Sequence, residues 1–215
     1  MIVVIQCAAG KRANAGHLRT KDGRRVMFVA QPKSAPPVEG VHYARPDDLS
    51  DTEGSWRENL ERYSADAGNN PLGLLSAAEL YTNPTYEKLS RAMPPSRLYI
   101  MSAGWGILPE NFRTPNYDIT FSSAAESYKR RGKSDLYQDF ILPDRGDEPM
   151  LFFGGKDYVP LFVSTTRSHK GPRTVFFNSK EAPAAAGCRL ERYETSTRTN
   201  WHYECANAWL RSRAV

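Results

Sequence analysis

Leu98 to Phe121 reads LYIMSAGWGILPENFRTPNYDITF. Its first residues are continuously apolar, and a Ser-Ala-Gly turn follows, so the spacing predicts a buried strand over Leu98 to Ser102. The strand runs into a glycine-bearing loop, Ser102 to Asn111, where small residues let backbone amides approach a ligand. The same stretch closes with Pro115-Asn116-Tyr117-Asp118, which sets an amide, a ring and a carboxylate side by side.

Outward from it, Ile2 to Cys7, Met150 to Phe153 and Thr174 to Phe177 are short apolar runs bounded by turn residues and read as further buried strands. Arg25 to Ala30 follows the turn signal Asp22-Gly23 and adds another or an edge strand. Helical patterns lie between them. Trp56, Leu60 and Tyr63 share one face, and Asn83-Pro84 starts a helix carrying Tyr86, Leu89 and Met93 that Pro94-Pro95 ends. Ser123 and Glu126 have capping-box spacing for a helix to about Arg131, and Asn200 caps a helix with Trp201, Cys205, Ala208 and Trp209 on one stripe.

Strands alternating with helices predict an α/β three-layer sandwich whose central sheet is mostly parallel and has about four strands. Residues 1 to 215 read as a single α/β domain, with an irregular proline-bearing excursion at about Gln31 to Gly54. Right-handed crossovers put all strand C-termini on one edge, and ligands sit outside that edge. That selects the loops Gln6 to Arg12, Ser102 to Asn111, Gly154 to Tyr158 and Asn178 to Glu181.

Composition narrows the class. Hydrophobic residues at 40% and charged residues at 25% suit a globular chain and exclude disordered and fibrous classes. No apolar run reaches membrane-span length, and MIVVIQC is too short and uncharged for a signal peptide, so no membrane partner is expected. Cys7, Cys188 and Cys205 are odd in number and lack CxxC spacing, which argues against a disulfide framework and for a reducing cytoplasm. The net charge is +5, with clusters at Lys11-Arg12, Arg19 to Arg25, Lys129 to Lys133 and Arg167 to Arg173. Such clusters suit a phosphate backbone, and a solvated face is the competing reading of each.

Several chemistries lack their motifs. Gly10-Lys11 has Ile5 and Arg12 where a phosphate loop needs glycine and a hydroxyl, and Gly104-Trp105-Gly106 does not complete a dinucleotide fingerprint. His17, His42, His169 and His202 show no ligand clustering, and no GxSxG elbow exists. The Asn116-Tyr117-Asp118 run holds the groups that a nucleobase pocket uses, with turn and core roles as the alternative. Glu79 and Tyr81, and Asn200, His202 and Glu204, are further candidates, equally read as solvated faces.

Cys7 with Lys11, then Ala78, Leu80 and Tyr81, then Ser102, Ala103, Trp105, Gly106 and Leu108, and finally Tyr117 and Asp118 together resemble the YaaA-related family of bacterial and phage domains. That family carries a strand ending in cysteine near a lysine, an A-x-x-LY segment, an S-A-x-[YW]-G-L-[LV] stretch and a Y-D or Y-R pair. The resemblance covers about half the chain and implies a uracil-DNA-glycosylase-like fold and nucleobase recognition. Some phage-defence members look like glycosylases that remove glucosylated bases from DNA.

The expectation that follows is a DNA glycosylase that flips a modified base out of DNA and hydrolyses its N-glycosidic bond, possible in phage defence and needing no cofactor or metal. Asp118 would activate water or stabilise the cationic sugar, Trp105 and Tyr117 would stack on the base, and Gln6, Asn116 and Asn178 would pair with its edge. Lys11, Arg12, Lys129, Arg130, Arg131 and Lys156 would hold phosphate, with a Schiff base at the sugar as a second role for Lys11 or Lys156. Cys7, Ser102, Gly106, Asp157 and Asn200 complete the candidate set. A non-catalytic sensor of modified or damaged nucleic acid and a nucleoside base-exchange transferase are the rival readings.

Overall fold

The computed structural model describes residues 1–66, 68–132 and 134–213, so Lys133 of the basic cluster lies outside the described residues. In chain order the strands are β1 (Ile2–Gln6), β2 (Arg25–Val29), β3 (Val41–Ala44), β4 (Leu75–Ser76), β5 (Leu98–Ser102), β6 (Gly106–Pro109), β7 (Arg113–Thr114), β8 (Tyr117–Asp118), β9 (Met150–Phe153), β10 (Arg173–Phe177) and β11 (Arg189–Arg192). The helices are α1 (Trp56–Ala65), α2 (Pro84–Ala92), α3 (Val159–Thr165) and α4 (Trp201–Arg213).

Three of the apolar runs become neighbouring central strands because only a sheet covered on both faces buries residues of either parity. β5 and β9 are buried throughout, and β1 in all but Gln6. The main sheet has six strands in the order β11-β10-β9-β1-β5-β6. All neighbours are parallel except β5 and β6, which form an antiparallel hairpin. The expected four strands are thus present, and β6 and β11 extend the sheet at its two edges. β11, with sequence RLER, is mostly exposed, so its side chains carry no buried-strand pattern.

The connection from β1 to β5 steps one way along the sheet, and the connection from β9 to β10 steps the other. Right-handed crossovers therefore put α2 and α3 on opposite faces. Packing agrees: Phe152 stacks on Phe162 of α3 at 4.5 Å, whereas its neighbour Phe153 meets Trp209 of α4 at 5.8 Å. Adjacent strand residues point to opposite faces, so α3 and α4 cover different sides, and α2 packs against α4. The result is an α/β architecture with helices on both faces of a mostly parallel sheet.

Arg25–Val29 does not join this sheet. It is the central strand of a second sheet, β3-β2-β8, parallel throughout. The excursion after Gln31 supplies β3, so part of that polar tract is regular structure. Phe28 of β2 ties the two sheets together, edge-on to Trp105 at 4.9 Å and to Trp56 at 6.3 Å.

The helix ends follow local chemistry. Ser55 and Glu58 form a capping box on α1, Asn83 accepts from the Thr85 amide at the start of α2, and Met93 closes α2 before Pro94. The expected helix from Ser123 to Arg131 is a correction: only a 3-10 turn, Ser127–Lys129, forms there. Thr120 donates to the Lys129 carbonyl and accepts from the Arg131 amide, so the segment is held alongside the β8 strand end instead. The Glu126 carboxylate goes to Lys129 rather than to a cap.

The β5–β6 hairpin turns at Gly106, with φ +88°, where an added Cβ would lie 2.5 Å from the Phe140 carbonyl oxygen. Gly23 also has positive φ, at +86°, but faces open space. Gly106→Ala is expected to lower unfolding free energy by about 2 kcal/mol or more, and Gly23→Ala by about 1 kcal/mol, in urea titrations. Equal losses would show that the Phe140 contact costs nothing.

Candidate functional site

β1 and β9 are parallel, but the crossovers that leave them step in opposite directions along the sheet, so the loops at their C-terminal ends part there, which is where open parallel sheets place ligands. In this chain the two loops are tied together. The Gly155 amide donates to Gln6 Oε1 at 2.6 Å, and Cys7 Sγ lies 3.2 Å from the Tyr158 hydroxyl. The Tyr86 hydroxyl donates to the Gln6 carbonyl at 2.7 Å and contacts the Tyr203 hydroxyl at 3.1 Å.

A chain of buried hydroxyls continues from that point. The amides of Gly104 and Trp105 donate to Ser102 Oγ, Ser102 donates to the Tyr117 hydroxyl at 2.8 Å, and Tyr117 meets the Tyr81 hydroxyl at 2.8 Å. Since Tyr117 accepts from Ser102, its own proton is free to go to Tyr81. Burial, reinforced by the Cys7 sulfur, pushes Tyr81, Tyr117 and Tyr158 well above the usual phenol range, so all three are neutral hydroxyls at neutral pH.

Two arginines orient the loop after β5. Arg57 donates to the carbonyls of Trp105 at 3.0 Å and Gly104 at 3.1 Å and pairs with Asp47 at 2.5 Å. Arg131 donates to the Ala103 carbonyl at 2.8 Å and grips Asp139 with two bonds of 2.8 and 2.6 Å. Three consecutive carbonyls thus face buried guanidiniums, and the following amides turn inward to Ser102. The phosphate-binding expectation for Arg131 is corrected: it is buried, and its ring-facing side lies 3.8 Å from the Tyr137 centroid.

The base-stacking expectation for Trp105 and Tyr117 is corrected as well. They are 0% and 1% exposed, and Trp105 is enclosed by Phe28, Tyr117 and the Arg57 guanidinium. The face of Tyr117 is covered by Lys11, whose Nζ sits 4.4 Å from the ring centroid.

Lys11 stands at the mouth of this cluster, paired through its backbone with Tyr81. Among the described residues its ammonium has neither a hydrogen bond nor a carboxylate within ion-pair distance. Desolvation lowers its pKa, and nearby Lys129 adds to that effect; Cys7 and Asp118 oppose it. Asp118 alternates with Tyr117 along β8, so its carboxylate turns away from the phenols, and its side chain is 41% exposed. Lys129 binds both Asp118 and Glu126 at 2.7 Å, and those hydrogen bonds raise its pKa. The mouth therefore carries one lysine paired with two carboxylates and, within electrostatic reach of Asp118, one lysine that is unpaired among the described residues.

The other candidates are dispersed. Gln6 spends its side-chain oxygen on the Gly155 amide, and the Asn178 side-chain nitrogen donates to the Thr197 carbonyl at 3.1 Å, so each amide has one of its two base-pairing groups already engaged. Asn116 is half-buried, and its backbone N–H donates to the Gly16 carbonyl. Gly106 is a turn residue. Arg12 is exposed with Nε on the Glu79 carbonyl, beside a groove of about 900 Å³ that runs along α2 to Glu110. Arg130 and Lys156 are exposed, and Asp157 lines a smaller hollow with Arg131 and Asp139. Asn200 takes φ +62° before α4, and Glu204 accepts from Tyr193 and Thr195. Among the described residues no group of three or more His, Cys, Asp or Glu is placed to hold a metal.

Tyr158 and Arg57 are the site-building residues that sequence patterns leave unmarked. Tyr158 is the last residue of a strand-end loop, GGKDY, and its position there is the one available signal. Arg57 sits in WRENLERY, a helical stretch rich in charges, and nothing local distinguishes it from a solvated face. No protein-family model, curated protein or solved structure matches this chain.

Arg57→Met strands two buried carbonyls and the Asp47 carboxylate, so it is expected to cost about 3–5 kcal/mol in urea unfolding. A loss under about 1 kcal/mol would mean that the loop does not depend on the clamp. His202 gives a pH-dependent test. Burial holds its pKa down at about 4 against an ordinary 6.5. A depressed base is neutral in the folded state, so its stabilisation is complete above pH 6.5 and is lost as pH falls toward 4. Between pH 7 and pH 4 wild type should lose about 3 kcal/mol more stability than His202→Phe; parallel losses would contradict the assignment.

Proposed function

We propose that this chain is a DNA glycosylase that hydrolyses the N-glycosidic bond of a modified base, with a uracil-DNA-glycosylase-like fold. The observation that carries the reading is the partly exposed Asp118 carboxylate, held by the Lys129 ammonium and within electrostatic reach of Lys11 in the loop leaving β1. A parallel sheet with helices on both faces supports the fold at a coarse level, and the motif resemblance supports the substrate class.

In this reading DNA approaches the C-terminal edge with its phosphates near Lys11, Lys129 and exposed Arg130, and the extruded nucleoside enters beside Asp118. As the base departs, positive charge grows on the sugar, and the fixed carboxylate stabilises it or takes a proton from the attacking water. The Lys129 pair holds Asp118 in one place. The neutral phenols of Tyr81, Tyr117 and Tyr158 and the Ser102 hydroxyl form a rigid wall behind the mouth. They are donors in reserve rather than contact groups, because they are buried.

The same Lys129–Asp118 pair gives one specific ground for the sensor reading, since a carboxylate already neutralised by an ammonium is a weaker catalyst. A base-release assay separates the two. Purified protein is incubated with duplexes carrying glucosylated, methylated or deaminated bases, and alkali-labile abasic sites are counted. Wild type is expected to generate them on at least one duplex, and Asp118→Asn to slow release by about 10²-fold or more. Salt-sensitive binding with no release on any duplex would favour the sensor and overturn the glycosylase.

A further inference from the structure

The two lysines at the mouth are built differently. Lys129 is held by two carboxylates, whereas Lys11, partly buried on the face of Tyr117, has neither a hydrogen bond nor an ion pair among the described residues. A lysine kept for structure or for phosphate binding is normally hydrogen-bonded or solvated. An amine desolvated against a ring and left without a partner is the arrangement that makes a lysine nucleophilic. Desolvation is the main cause of the lowered Lys11 pKa; the Cys7 sulfur and Asp118 carboxylate oppose it, and Lys129 adds the smallest contribution. Lys11 also sits in the loop leaving β1, and its backbone is anchored by pairing with Tyr81, whose hydroxyl meets that of Tyr117.

We propose that Lys11 is an amine nucleophile toward the C1′ carbon of deoxyribose, which gives the chain a strand-cleaving lyase activity on abasic DNA. The proposal rests on the reading of the mouth as a DNA site. On an intact nucleotide, the neutral Nζ forms a bond to C1′ as the N-glycosidic bond breaks, and the base leaves with the bonding pair and takes a proton from the alkylated nitrogen. The nitrogen lone pair then opens the sugar ring: C1′=N forms, the C1′–O4′ bond breaks, and O4′ is protonated by water. On an abasic site the amine condenses directly with the C1′ aldehyde, releasing water. In both cases loss of a C2′ proton to water expels the 3′ phosphate with its electron pair, cutting the strand. Water then hydrolyses the imine and restores Lys11. No oxidant or reductant takes part.

The test uses the full chain and a synthetic duplex with one abasic site, so it does not depend on base recognition. With borohydride present, the imine is reduced to a stable secondary amine, and wild type is expected to form a covalent protein–DNA adduct that peptide mapping places on Lys11. Adduct yield should rise with pH at values where an ordinary lysine is still protonated. Lys11→Met is expected to lose the adduct, and Lys88→Met, altering an exposed lysine of α2, to keep it. Mapping on wild type decides the matter even if Lys11→Met fails to fold. An adduct absent, or spread over surface lysines, overturns the proposal. Base release without a Lys11 adduct would leave the glycosylase reading standing and remove this one; a Lys11 adduct without base release on any duplex would do the reverse.

Discussion

Two buried guanidiniums set the geometry on which the crevice depends. Arg57 and Arg131 accept the burden of three successive carbonyls, Ala103, Gly104 and Trp105, and each is itself neutralised by a carboxylate, Asp47 or Asp139. With the carbonyls turned to the buried guanidiniums, the amides of Gly104 and Trp105 face Ser102. Ser102 then has its proton left for Tyr117, and Tyr117 has its own left for Tyr81. Arginines that do not touch the hydroxyl chain thus orient the two amides that bind its first member, Ser102. Buried pairs of this kind give little net stability and are costly to break, which suits a device that specifies one loop conformation.

The consequence at the surface is an asymmetry. Tyr117 is fixed by that chain and presents one ring face to Lys11, while the next residue, Asp118, turns the other way to Lys129. Strand alternation thus separates a carboxylate from a set of neutral phenols across a single peptide bond. Lys11 lies between the two environments and is satisfied by neither. One fixed charge pair and one unsatisfied amine at the same mouth are the features on which the proposed DNA chemistry rests.

Most of the scaffold was legible in the sequence where burial is two-sided. The β1, β5, β9 and β10 strands were readable because central parallel strands need apolar residues at both parities. β6 and β11 were not, because edge strands carry prolines or charges. The capping-box spacing of Ser123 and Glu126 pointed to a helix, but Glu126 had a better partner in Lys129, and the backbone pairing of Thr120 won over local propensity. For the site, strand-end position pointed to the loops that hold Cys7, Lys11 and Ser102, whereas Tyr117 and Asp118, singled out as an aromatic–carboxylate pair after the loop, fall in a short strand of the second sheet. It could not tell which aromatic rings face solvent: Trp105 and Tyr117 look like stacking platforms in one dimension and are core in three. Arg57 and Arg131 act on carbonyls far away in the chain, and no local pattern encodes such a contact.

The most direct test of the central claim, that the β1/β9 mouth is the DNA-contacting site, is an amide chemical-shift map. It would be recorded while a duplex carrying a non-reactive tetrahydrofuran abasic analogue is titrated into the protein. The account predicts that the largest shifts fall on Ala8 to Arg12, Asp118 to Thr120 and Gly154-Gly155, and that they weaken with added salt. Shifts centred instead on the α2 groove between Glu79 and Glu110, with the Lys11 loop unperturbed, would contradict it.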